Sequence, residues 1–241
     1  MTSDVSFKAF RRFNAADIQH FAGHRARLNE SWLRHFDGDG LPDKLARELA
    51  LRRALPAKEL FESFELFERI RRRLRRPQVA DLCCGHGLTG MLFAVFEPRV
   101  ERVTLVDCRR PKSHRTVIEA VAAVAPWAAD RIEFVETPLN TAHEHLTAGC
   151  GIVAVHACGV RTDRCIDLAI SLASPVAVLP CCYSQTAAPA PRCLRESLGA
   201  ALATDVHRTY RLDGAGYEVD WSAIPRAITP MNRLLVALPR E

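Results

Sequence analysis

The 241-residue chain lacks several features that would narrow its class at once. No run of roughly eighteen or more apolar residues occurs, which excludes a membrane-crossing helix. Residues 1–21 mix charges throughout and hold no apolar core of the secretory-signal kind, so a cytoplasmic location is expected. The cysteines number nine, an odd count, and without a secretion signal they point to reduced thiols rather than a disulfide framework. No C-x₂-C pair recurs at finger-like spacing, and no metal ligand set is assigned. Charge of one sign is not abundant either: 33 Lys and Arg stand against 28 Asp and Glu.

What charge there is lies unevenly. Residues 1–76 hold 17 Lys and Arg against 11 Asp and Glu, whereas the remainder holds 16 against 17. A basic first third implies a polyanionic partner such as RNA, or simply a well-solvated helical surface. Five arginines crowd six positions at Arg71, Arg72, Arg73, Arg75 and Arg76. Some suit the negative end of a helix dipole, and the excess is a candidate for phosphate contact.

The informative stretch is Gln78 to Gly90, QVADLCCGHGLTG. An apolar strand carrying Asp81 stops at a glycine loop, and a helix-like run begins at Leu88. Strand, tight turn and helix in this order form a nucleotide-cofactor site, because backbone must approach the ligand closely. Gly85, Gly87 and Gly90 complete G-x-G-x-x-G, a pattern shared by several adenosine-binding folds. Asp81 is placed to accept from a ligand or from the loop's own N–H groups. Asp107 closes a second strand where a carboxylate can meet ribose hydroxyls, or else caps a helix.

D-L-C-C-G-H-G resembles the D-L-G-C-G-x-G first motif of the Rossmann-like class I S-adenosylmethionine-dependent methyltransferases, with Cys83 where glycine is common. The resemblance implies S-adenosylmethionine as cofactor, held by Asp81, Cys83, Gly85, Gly87, Asp107 and His156, with Glu136 and Thr137 near the adenine. H-x-C-G-x-x-T-D at His156 to Asp163 and P-C-C-Y at Pro180 to Tyr183 resemble a subgroup that includes the eukaryotic tRNA ribose 2′-O-methyltransferases. That resemblance covers roughly residues 57–240. It departs from that tRNA family in having Tyr183 and Ser184 where histidines follow, and in having no zinc-finger segments ahead of the domain.

Taken in order, the chain reads as a basic helical extension over residues 1–56 and a methyltransferase domain over residues 57–241. Phe7, Phe10, Phe13, Ile18, Phe21, Leu28, Trp32 and Phe36 recur at helical spacing, with cations between them; the aromatics either pack down or form a stacking platform for RNA. Helices are expected over about 43–55 and 57–74. Alternating strands and helices follow, with Thr162–Asp163 capping a helix, a surface loop over residues 186–191 and a further helix over 194–203. The expected fold class is α/β, a doubly wound sheet of seven strands whose last pair is antiparallel.

In such a sheet Cys83, Cys84, His156, Cys158, Cys181 and Cys182 would meet at the cleft. The cysteines can be small hydrophobes, soft-metal ligands or a nucleophile. His156 or Tyr183 is placed to act as base or to orient the acceptor, and a hydrogen-bonded structural histidine is the plainer alternative. The expected activity is methyl transfer to RNA. The alternatives are methylation of a small molecule or protein, and a non-catalytic cofactor-binding protein that docks on RNA. Oligomeric state and the methylated atom are not legible.

Overall fold

The computed structural model of the chain describes residues 5–183 and 190–240. Five apolar-rich segments form a parallel core: β1 (Gln78–Leu82), β2 (Arg102–Asp107), β3 (Ile132–Glu136), β4 (Gly151–Val155) and β5 (Val176–Leu179). β6 (Tyr217–Ala223) and β7 (Arg233–Pro239) complete a seven-stranded sheet in the order β3-β2-β1-β4-β5-β7-β6. β7 runs antiparallel to both of its neighbours. Every residue of β1 is buried, as expected of a central parallel strand covered on both faces.

The helices are α1 (Leu41–Leu51), α2 (Ala57–Leu74), α3 (Leu88–Phe96), α4 (Lys112–Val124), a single turn α5 (Pro126–Ala129), α6 (Val160–Ser171), α7 (Arg192–Leu198) and α8 (Ala200–Gly214). α2 packs on α3 through Phe67 and Phe93, whose ring centroids lie 5.0 Å apart at 89°. One continuous apolar core joins α1, α2, α3 and α4 to one sheet face, and a second, built around α6, covers the other. The expected helix over 194–203 is two helices parted at Gly199, whose φ of +76° breaks the ladder. Within the expected surface loop, residues 186–189 lie outside the described residues. No helix among the described residues is long and apolar enough to cross a membrane.

The aromatic stripe of residues 7–36 is not an α-helix. It forms three short 3₁₀ turns, Arg11–Asn14, Gln19–Gly23 and Glu30–His35, and the first α-helix among the described residues is α1. Side chains supply what a helical ladder would have supplied. Asn14 accepts from the Phe7 N–H at 2.7 Å, and the Glu65 carboxylate accepts from the N–H groups of Lys8 and Ala9 at 2.9 Å. Phe7, Phe10, Phe13, Trp32 and Phe36 turn to one surface, the aromatic face of α2, with Phe10 4.9 Å from Phe64 and Phe13 4.5 Å from Phe61, while Phe21 packs on Trp32. Each such pair contributes about 0.5–1.5 kcal/mol beyond its burial. Residues 7–36 thus share the core of the main fold.

Glu65 also pairs with the buried Arg69, which donates to the Ala223 carbonyl at the end of β6 and to the Ser6 carbonyl. One buried acid therefore ties the amino-terminal segment to α2, and its partner ties α2 to the far sheet edge.

Candidate active site

Strand order reverses between β1 and β4, and there the carboxyl ends of the two strands part to open a crevice. Chain geometry at its lip is unusual. Cys83, after β1, has φ +55°, and His156, after β4, has φ +59°. Both occupy the left-handed region in which only glycine is free of penalty, at about 1–3 kcal/mol each. This is the physical content of the departure at Cys83: a glycine there would be unstrained, whereas the cysteine holds the turn and adds a thiol to the crevice wall.

Two cavities meet at these residues. The inner one, about 170 Å³, is lined by Glu59, Glu62 and Ser63 of α2 together with Asp81, Cys83, Cys84, Gly85, His86, Thr89, Val155 and His156. The outer one, about 390 Å³, is lined by Cys83, Asp107, Thr137, Leu139, Asn140, His156, Arg161 and Arg164 among others. Asp81 Oδ2 accepts from the Gly90 N–H at 2.9 Å, while its Oδ1 is buried without a partner. Burial pushes the Asp81 carboxyl up to about 7; the Gly90 N–H opposes this and the Asp107 charge adds to it. Gly90 is required by close approach, since a Cβ there would lie 2.5 Å from Leu105 Cδ2. Gly85 is different: its φ is +54° and a Cβ would meet nothing within 4 Å, so the space above it is open.

Asp107 Oδ2 accepts from the Gly85 N–H at 2.9 Å and keeps a lone pair free, whereas Oδ1 accepts from both the N–H and the thiol of Cys108, at 2.7 and 3.3 Å. Thr137 lines the outer cavity, and its N–H donates to the Asp107 carbonyl. Glu136 is turned away, accepting from the Arg110 N–H at 3.0 Å. Gly87, with φ +81°, caps α3 and packs under Leu105. The Asp81 Oδ1 orphan, the open space over Gly85 and the Asp107 acceptors together fit an amino-acid-bearing nucleoside such as S-adenosylmethionine, which offers a donor at one end and vicinal hydroxyls at the other.

The acids of α2 are the residues that sequence reasoning missed. His156 Nε2–H donates to Glu62 Oε2 at 2.8 Å, and Lys58 pairs with the other Glu62 oxygen. His86 lies 3.2 Å from Glu59 through Nε2, while its Nδ1 accepts from the Leu88 N–H at 3.0 Å. Burial raises the Glu59 carboxyl, but the His86 hydrogen bond and the nearby His156 and Lys58 outweigh it and hold the group below its ordinary value. In the sequence, Lys58, Glu62, Glu65, Arg69, Arg72 and Arg73 read as one polar helix stripe. Nothing local marks its first half as buried.

Tyr183 lines neither cavity. Its phenol donates to Asp205 at 2.7 Å beneath Arg208 and Arg233; burial and the Asp205 charge raise it well above the ordinary phenol range. Asp163 is also committed elsewhere: with Thr162 it was expected to cap α6, but Gly159 holds that position. Thr162 Oγ1 instead donates to the Ala157 carbonyl, and Asp163 pairs with the buried Arg208 at 3.0 Å.

The cysteines divide. Cys83 and Cys84 stay with the glycine loop after β1, and Cys84 packs against the core. Cys158, Cys181 and Cys182 gather as a separate group. Burial raises Cys158 and Cys181, the reverse of what a thiolate nucleophile requires.

A family model described as a methyltransferase domain matches residues 58–189, more than half of the chain. Over 105 residues the chain is 30% identical to a glutathione S-transferase C-terminal domain-containing protein of Xenopus laevis, and over 107 residues equally so to that of Homo sapiens. Each match takes in 44% of this chain but only 16% of the relative, so the likeness spans about a sixth of those proteins. Among solved structures, cofactor-bound Rv0187 from MTB superposes with a TM-score of 0.52 at 18% identity, covering 85% of this chain and 92% of that one. That likeness is one of fold. The seven-stranded sheet with its antiparallel closing pair and the family match agree: the chain belongs to this methyltransferase-domain family.

Proposed function

We propose that the chain is an S-adenosylmethionine-dependent methyltransferase whose methyl acceptor is RNA, with His156 as the group that receives the acceptor's proton and Glu62 as the residue that positions it. The observation that carries this reading is the charge around the crevice mouth. Arg161 and Arg164 line the outer cavity, and Arg25 and Arg226 line the opening beside His156; among the described residues none of the four has a carboxylate within salt-bridge distance. Cations left without partners around a concave site favour a polyanion outside it.

Inside, the demand reverses. Glu59 and Glu62 face the inner cavity, which suits an acceptor bearing a hydrogen-bond donor, an amine or a hydroxyl. S-adenosylmethionine, when bound, supplies an electrophilic methyl group on a sulfonium centre, so alignment accounts for most of the acceleration. The chain's own residues hold the donor's polar ends at Asp81 and Asp107 and exclude water around Cys83 and Val155. With its Nε2–H given to Glu62, His156 keeps its lone pair on Nδ1, the nitrogen able to take a proton.

The test is methyl transfer from tritium-labelled S-adenosylmethionine into fractionated cell extract. Label is expected in an RNase-sensitive fraction, reduced at physiological salt by Arg25→Glu with Arg226→Glu. Label in protein or small molecules would overturn the RNA assignment. Cofactor binding with no label in any fraction would overturn turnover itself.

A further inference from the structure

The thiols of Cys158, Cys181 and Cys182 form a triangle with Sγ separations of 3.0, 3.5 and 3.5 Å. They come from two places in the chain. Cys158 follows β4 and the cysteine pair follows β5; these strands are parallel neighbours in register, Val155 opposite Leu179, so their loops leave the sheet at the same point. Topology therefore assembles the group, and its sequence spacing does not resemble a finger. The three sulfurs lie beside the functional crevice. Cys181 and Cys182 line an opening of about 580 Å³ that they share with His156, His24, Arg25 and Arg226.

We infer that Cys158, Cys181 and Cys182 bind a soft divalent metal, zinc by preference, as three thiolates with the fourth position open to the crevice. Zinc–sulfur bonds of about 2.3 Å at tetrahedral angles place sulfurs about 3.8 Å apart, so two edges of the triangle need widen by about 0.3 Å and the Cys158–Cys181 edge by about 0.8 Å, within the reach of side-chain rotation. Three protein ligands with one open position is the arrangement of zinc sites that take water or a substrate heteroatom, whereas structural sites close with four. Binding releases the protons of the three thiols to solvent, and the charge they leave is neutralised by the metal, so the site strengthens with rising pH. Cys182 is exposed, which gives the ion a path in. The remaining cysteines do not extend the group: Cys83 and Cys84 stay with the glycine loop after β1, and Cys193 lies on α7. The inference does not depend on which acceptor is methylated.

The test uses the full chain, purified reduced and without chelator. Elemental analysis should find one equivalent of zinc per chain. Cobalt exchanged into the protein should give near-ultraviolet thiolate-to-metal absorption and tetrahedral visible bands. Cys158→Ser with Cys181→Ser should reduce both readouts from one equivalent to none, while Cys193→Ser should leave them unchanged. Should the double variant unfold, the cobalt spectrum of the unaltered chain decides by its thiolate count. Three freely titratable thiols with no cobalt absorption would overturn the inference. So would a Cys158–Cys181 disulfide mapped in protein that takes up no metal, or metal uptake that survives the double substitution. Neither metal readout involves methyl transfer, so failure here is distinct from failure of the RNA assignment.

Discussion

The two ends of α2 carry similar numbers of charges and do different things with them. At its start, Glu59 and Glu62 are turned inward, each with a histidine from a distant loop. At its end the arginines face outward, and most have carboxylates: Arg71 and Arg75 share Glu97, and Arg73 meets Asp220. Ten residues separate Glu62 from Arg72, about 15 Å along the axis. The arginine end therefore lies well away from the crevice, and its cations are largely spoken for within the fold. Charge density in sequence is a poor guide to function unless one asks which charges have partners. The crevice-mouth arginines, scattered along the chain at Arg25, Arg161, Arg164 and Arg226, make no visible cluster in sequence.

The comparison can be broken in several ways. The largest effect is expected midway along α2, where Glu65→Ala leaves Arg69 buried without its partner. Stability should fall by about 3–5 kcal/mol, read as a lower urea midpoint at an unchanged slope. Next, at the crevice end, His156→Ala should lower kcat by ~10²–10⁴-fold with cofactor affinity kept, and Glu62→Gln should shift the pH dependence of kcat, which a merely structural contact would leave in place. Stopped turnover with intact cofactor binding is the outcome to look for; equal loss of both would assign His156 to cofactor binding instead.

A third prediction concerns Asp81, whose carboxyl sits at about 7 in the unliganded fold. Its folded value is raised, so the unliganded fold is favoured at low pH and loses that contribution as pH rises from about 4 to about 7. A donor on the orphaned Oδ1 favours the carboxylate, so cofactor affinity should rise with pH up to about 7 and then level, by up to tenfold per unit. Calorimetry at pH 6 in two buffers of different ionisation enthalpy should show a proton released on binding, and Asp81→Asn should abolish it. The smallest effect belongs to the arginine end. Arg72→Glu with Arg76→Glu should change stability by no more than about 0.5 kcal/mol and leave turnover alone. A large loss of RNA methylation in that variant would reverse the contrast between the two ends.

Much of this was legible in sequence because it is local. The loop from Asp81 to Gly90 declares itself through the spacing of its glycines, although the close approach that requires Gly90 comes from Leu105 on β2, and the strand alternation that follows fixes the sheet. The exact span of α2, Ala57–Leu74, is readable because Pro56 and Pro77 bracket it. What was not legible depends on contacts between distant residues. Glu62 meets His156 across 94 positions, and no helical period reveals that meeting. The stripe from Phe7 to Phe36 looked helical because any segment that dips repeatedly onto one surface spaces its aromatics by three or four. Tyr183 follows β5 beside the crevice in sequence, yet the buried Asp205–Arg208 pair draws its hydroxyl to α8.

The matched family begins at residue 58, so the aromatic face of α2 belongs to the shared module while the rings that cover it, Phe7, Phe10, Phe13 and Trp32, do not. That face cannot be left bare in water without becoming a seam for self-association. A chain cut at residue 57 would present Phe61 and Phe64 to solvent. The amino-terminal segment is thus a lid fastened over that seam, and the molecule's solubility rests on it.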